Sequence, residues 1–295
     1  MLPGAFASTA GRDERGSGSP VDVIIQALVM GIVQGLTEFL PVSSSGHLIV
    51  VPFFAGWDDA FINSLAFSVM LHLGTLVALL VYFRADWLRL VPAGLAALRD
   101  RSFRGDEDRR LAWLLVASTI PAAILGLVFG DLIEDSFRSV GLVAVTLVLG
   151  GLILLVADRF GAKSRAIEDV TFPIAIGIGA AQALALVPGI SRSGISISAG
   201  RLVGMDRETA ARFAFLMATP ITAGAGLFEA RKLLAGESGL RFDTLPLVVG
   251  MVASLVSGLL AIHFMLSFLR RQSLDVFVWY RFALAAIVLI AWLAR

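Results

Sequence analysis

The chain has 295 residues, 57% hydrophobic and 16% charged, with a formal net charge of +1 and no cysteine. So few charges and a mean hydropathy of +0.85 exclude an ordinary soluble domain, which is about a quarter charged, and point to an integral membrane protein. The missing cysteine excludes a disulfide framework, a thiolate nucleophile and a Cys-ligated metal. No basic run is interleaved with aromatics, which leaves nucleic acid aside as a partner.

Residues 1–20 read as a disordered polar tail, with Gly-Ser-Gly-Ser at 16–19 and no basic n-region leading into a clean apolar core, so no cleaved signal peptide is expected. The remainder, 21–295, reads as one membrane domain. Its apolar runs are about twenty residues long without the ten-residue alternation of a barrel, so the class is an all-α polytopic membrane protein. Segment 21–40 is apolar but holds Gln34 and Glu38 and stops at Pro41; a short apolar piece, 48–55, follows a serine-rich turn. The pair is expected to form a re-entrant helical hairpin. Spans are expected at 64–83, 112–132 and 140–157, with an arginine-rich loop at 84–111. The opening pattern then recurs: segment 172–187 stops at Pro188 and leads into Gly189-Ile190-Ser191-Arg192-Ser193-Gly194, with spans at about 208–234, 244–268 and 278–294.

Gln34 and Pro41 are echoed by Gln182 and Pro188, and Ser45-Gly46 by Ser193-Gly194. The expected architecture is therefore two repeats, about 21–157 and 172–294, each a hairpin plus three spans. An odd number of spans inverts the second repeat and brings both hairpins to the midplane. Basic residues concentrate in the loops 84–111 and 158–171 and at Arg270 and Arg271, whereas Arg138 and Arg241 mark the other side. By the positive-inside rule the former are cytoplasmic and both termini face outward.

Charged and hydroxyl groups are costly at membrane depth, so their concentration in two turns marks a site. Gln34 and Glu38 share a helix face and could form a partial shell for Mg²⁺ or Ca²⁺, or simply a hydrogen-bonded pair joining helices. Ser43, Ser44 and Ser45 could cap the next helix or present a nucleophile beside N–H groups aimed at an anion. His47 closes the same turn; His72 reads as a packing or near-site group and His263 as structural. In the second turn Arg192 suits a phosphate, or an ion pair with Glu38, flanked by Ser191 and Ser193, with Ser196 and Ser198 beyond. Together these are the components of phosphoryl transfer. A carrier of prenyl phosphate on the same fold is the competing class. Gly126-x-x-x-Gly130 and Gly200-x-x-x-Gly204 allow close helix contact, within the chain or in a homodimer.

The stretches Gln34-x-x-x-Glu38, Phe39-Leu40-Pro41-Val42-Ser43-Ser44-Ser45-Gly46-His47 and Pro188-Gly189-x-Ser191-Arg192-Ser193 resemble the signatures of the bacterial undecaprenyl-diphosphate phosphatases of the bacitracin-resistance type. The resemblance covers about 20–295. It implies a plasma-membrane enzyme with two inverted repeats and a divalent-cation requirement, acting on undecaprenyl diphosphate within the membrane lipid from an outward-facing site. It further implies Glu38, with Gln34, at the metal and Arg192 on the diphosphate beside Ser43, Ser45, Ser191, Ser193 and Ser196. Ser44 or His47 attacks, or His47 activates Ser44 or a water. Many members carry Glu where this chain has Gln34, which shifts metal binding toward Glu38.

Overall fold

The computed structural model describes residues 19–103, 106–137, 139–161, 165–235 and 244–294. The expected tail, apart from Ser19 and Pro20, lies outside these, as do Arg104, Arg138, Lys163 and Arg241 of the orientation argument. Eleven α-helices occur among the described residues: α1 Pro20–Phe39, α2 Ser44–Ala55, α3 Leu65–Tyr82, α4 Arg84–Asp100, α5 Glu107–Phe137, α6 Val140–Phe160, α7 Phe172–Gln182, α8 Arg192–Leu202, α9 Arg207–Leu234, α10 Thr244–Leu269 and α11 Asp275–Leu293. No strand accompanies them there, only an isolated bridge between Arg165 and Met205.

Seven of these helices (α1, α3, α5, α6, α9, α10 and α11) are long and apolar enough to cross a bilayer, so the chain is a multi-pass membrane protein. The six spans read from the sequence are all present, with ends shifted by up to five residues. Two elements differ from the reading. The first hairpin leg, α1, is 20 residues long, about 30 Å at 1.5 Å per residue, and so has the length of a span. Its polar groups do not veto that length, because Gln34 and Glu38 are buried against protein. Segment 84–111, read as a loop, contains the amphipathic helix α4. Leu90, Gly94 and Ala97 form its buried face, while Leu88, Val91, Leu95 and Leu98 stay exposed. The seven arginines of the segment obscured that stripe.

Each start and stop has a local cause. Ser19 and Asp22 form a capping box on α1, and Pro41 disfavours continuation by forcing the residue before it out of the helical region, with Leu40 extended. α7 ends in a short 3-10 turn, Ala183–Leu186, ahead of Pro188. α1 packs along α10 and α7 packs along α5, so each of these apolar helices lies on a long span distant in the chain. Both contacts rely on a missing side chain. A Cβ on Gly31 would sit 2.2 Å from the Gly250 carbonyl oxygen, and one on Gly179 would sit 1.8 Å from that of Ser118. α3 packs on α9 and α6 on α11, joining the halves at two further seams. Of the two glycine pairs, Gly200 is used within the chain: a Cβ there would lie 3.0 Å from Cβ of Ala210.

The largest buried cluster includes Phe39 below the first hairpin and Phe213, Phe215 and Met217 of α9. Phe39 and Phe215 meet edge to face at 5.4 Å. This floor fixes the end of α1, and with it the carboxylate one residue earlier.

Candidate active site

The two turns form the same backbone device. Ser43 precedes α2 with φ 75°, and Ser191 precedes α8 with φ 78°. Positive φ is rare for a residue with a side chain and costs on the order of 1–3 kcal/mol. Each serine offsets part of that cost by capping: Ser43 Oγ accepts from the Gly46 N–H at 3.3 Å, and Ser191 Oγ from the Gly194 N–H at 3.1 Å. Each also pairs with the hydroxyl two residues on, Ser43 with Ser45 at 3.3 Å and Ser191 with Ser193 at 3.2 Å. Ser193 Oγ donates across to the Leu40 carbonyl at 3.0 Å, tying the second turn to the first.

Glu38 is where the halves meet. It is 7% exposed, and both its oxygens are engaged. Oε2 accepts from Ser44 Oγ at 2.5 Å and from Gln34 Nε2 at 3.0 Å, and lies 3.3 Å from His72 Nε2. Oε1 pairs with Nη2 of Arg192. Arg192 Nη1 donates to Thr222 Oγ1 at 2.6 Å, and Thr222 in turn donates to the Ala218 carbonyl of α9. A buried carboxylate is tolerated only when paired and hydrogen-bonded; here a guanidinium, an amide, a hydroxyl and an imidazole share that task.

His47 is brought to the same turn but not to Ser44. Its Nδ1 lies 2.7 Å from the Ser43 carbonyl, which can only accept, so Nδ1 carries a proton. Its Nε2 lies 2.7 Å from the hydroxyl of Tyr280. Both ring nitrogens are thereby committed, and the Ser44 hydroxyl donates to Glu38 rather than to His47. Ser196 Oγ is buried without a partner, whereas Ser198 donates to the Gly194 carbonyl of its own helix. His72 stands at the site and His263 stands apart, 3.4 Å from the Tyr82 hydroxyl.

For a metal, the donor set is small. No group of three or more histidine, cysteine or acidic residues that could hold one occurs among the described residues. Glu38 offers a carboxylate, and Gln34 Oε1 is a buried acceptor with no partner. Two oxygens on one helix face suit a hard cation that takes its remaining ligands from phosphate and water.

Three residues at the site were missed in the sequence: Thr222, Tyr280 and Arg281. Arg281 is fully buried. It donates to the carbonyls of Leu147 at 3.0 Å and Pro41 at 3.2 Å, and to those of Gly189 at 2.7 Å and Ile190 at 3.1 Å. It therefore pins the peptides just before both strained serines. Space for it exists because α6 has Gly150 opposite, where a Cβ would lie 2.0 Å from Nη2. An arginine inside an apolar span was the available signal, since such residues are functional by default.

With this arrangement on the page, the similarities to known proteins become specific. The family model described as bacitracin resistance protein BacA matches residues 27–287. The chain belongs to that family. A relative from Rubrobacter xylanophilus named undecaprenyl-diphosphatase is 50% identical over 266 residues, 90% of this chain and 97% of its own. Relatives of the same name from Moorella thermoacetica and Desulforudis audaxviator are 48% and 46% identical, each over 92% of this chain and 99% and 98% of their own. The matched region contains both turns and extends through Arg281.

Proposed function

We propose that this BacA-family protein hydrolyses undecaprenyl diphosphate to undecaprenyl phosphate and inorganic phosphate in the bacterial plasma membrane, returning the lipid carrier to peptidoglycan synthesis. The observation that carries this reading is a buried carboxylate, Glu38, joined to a hydroxyl from one turn and a guanidinium from the other. The relatives' names favour hydrolysis over the carrier alternative.

The chemistry follows from which contacts a diphosphate would exchange. Its charge draws Arg192 from Glu38, with the α2 and α8 N-termini and the hydroxyls of Ser43, Ser45, Ser191, Ser193 and Ser196 supplying further donors. As Arg192 turns to the substrate it frees one Glu38 oxygen, while Ser44 still donates to the other. Ser44 Oγ then bonds to the terminal phosphorus, its proton passes to Glu38, and the bond to the bridging oxygen breaks, releasing prenyl monophosphate. In the second step a water gives its proton toward His47 Nε2 and bonds to phosphorus. The bond from phosphorus to Ser44 Oγ breaks, and Glu38 returns the proton to that oxygen. Glu38 and Gln34 Oε1 would hold Mg²⁺ or Ca²⁺, which when bound supplies neutralisation of the phosphate oxygens. The basic loops support outward-facing termini, the family resemblance supports an outward-facing site, and the reciprocal packing of α1 on α10 and α7 on α5 supports two inverted halves.

Purified protein in lipid, given undecaprenyl diphosphate and a divalent cation, is expected to release phosphate and to stop on chelation. No release under those conditions overturns the reading; release that survives chelation removes the metal from it.

A further inference from the structure

The hydroxyl of Tyr280 sits at the His47 ring nitrogen that is not committed to the Ser43 carbonyl. Nδ1 of the ring is already protonated and donates to the Ser43 carbonyl, so Nε2 holds the only lone pair able to accept one. That lone pair is filled by the Tyr280 O–H at 2.7 Å. The two rings are parallel to within 7° with centroids 5.8 Å apart, and the tyrosine is held by its helix rather than by a mobile loop. His47 is 6% exposed and Tyr280 is 45% exposed, so the imidazole is enclosed while the phenol reaches the outside. Its neighbour Arg281 is tied to carbonyls of both turns, which fixes α11 relative to the site.

We infer that Tyr280 is the proton relay between the attacking water and His47. The water's proton passes to the Tyr280 oxygen as the phenolic proton passes to Nε2. The water oxygen bonds to the phosphorus held on Ser44, the bond from phosphorus to Oγ breaks, and Oγ takes its proton from Glu38. The relay reverses after phosphate leaves, so no group is consumed. This rests on the phosphatase reading with Ser44 as nucleophile, and it places Tyr280 in the second step alone.

That placement has a kinetic signature a packing role would not produce. When a covalent intermediate forms, slowing its breakdown lowers kcat and KM by the same factor and leaves kcat/KM unchanged. Tyr280→Phe keeps the ring and removes only the hydroxyl. With undecaprenyl diphosphate labelled in the terminal phosphate, the variant is expected to lose about tenfold in kcat with a matching fall in KM. More label is then trapped on Ser44 by acid quench than in the unaltered protein. A loss in kcat/KM, an unchanged kcat, or a fall in kcat without extra labelled Ser44 would overturn the relay. Failure of the phosphatase reading is seen separately, as absence of turnover or of labelled Ser44 in the unaltered protein.

Discussion

The turn at Ser43 and the turn at Ser191 share a backbone and differ in chemistry. Both begin with a serine at positive φ, both cap the glycine three residues on, and both are gripped by Arg281. Then they diverge. The residue after the strained serine is Ser44 in one and Arg192 in the other, and the next helical turn carries His47 in one and Ile195 in the other. Five positions before the serine stands Glu38 in the first and Leu186 in the second. The first residues of α2 and α8, placed alike by the same device, both turn to one carboxylate. Two turns of one shape can thus divide the work, with one supplying a carboxylate and a hydroxyl and the other the cation.

Breaking that division should have the largest effect. Arg192→Ala is expected to reduce phosphate release by roughly 10³–10⁵-fold, the range of an arginine that neutralises a transferring phosphoryl group, and Ser44→Ala to abolish it, with both proteins still folded. Comparable activity in Arg192→Ala would mean that the arginine serves only to pair with Glu38. Loosening the shared scaffold comes next. Arg281→Met leaves carbonyls on both turns without donors, at about 1–3 kcal/mol for each buried group, so thermal unfolding in detergent should register a loss of at least 3 kcal/mol by that same scale. An unchanged melting temperature would show that the turns hold themselves. The smallest effect separates the two glutamines. Gln182 is buried with neither amide atom partnered, whereas Gln34 lacks a partner only at Oε1. Gln182→Met should therefore leave turnover unchanged and hold or raise stability, while Gln34→Met lowers turnover. Equal effects would make the two halves more alike at this position than their hydrogen bonds indicate.

Much of this was legible because polar residues in an apolar sequence have few reasons to be there. Proline stops, serine runs and the charges Glu38 and Arg192 marked both turns, and the alternation of apolar runs with polar loops marked six of the seven long apolar helices. What escaped lay in two places. α4 was hidden because its arginines dominated the composition of a segment whose apolar positions fall on one stripe. The partners of His47 and Glu38 were hidden by distance along the chain: Tyr280 lies 233 positions from His47, and Arg192 lies 154 from Glu38. His47 and Ser44, three positions apart, make no hydrogen bond to each other. Helix geometry instead sends the imidazole back to the Ser43 carbonyl and leaves the hydroxyl to Glu38.

The reliance of α1 on α10 also constrains how the protein is made. Gly31 is shaped to fit the Gly250 carbonyl, which leaves the ribosome about 220 residues later, on the order of 10–40 s at ordinary rates of synthesis. Through most of that interval the first helix must wait in or beside the insertion machinery with Glu38 lacking the arginine that will neutralise it, Arg192, 154 positions further on. Arg281, which fixes both turns, arrives later still. The enzyme thus has no assembled centre until almost the whole polypeptide has been threaded into the bilayer, and chains abandoned before their last helix would be silent rather than partly active.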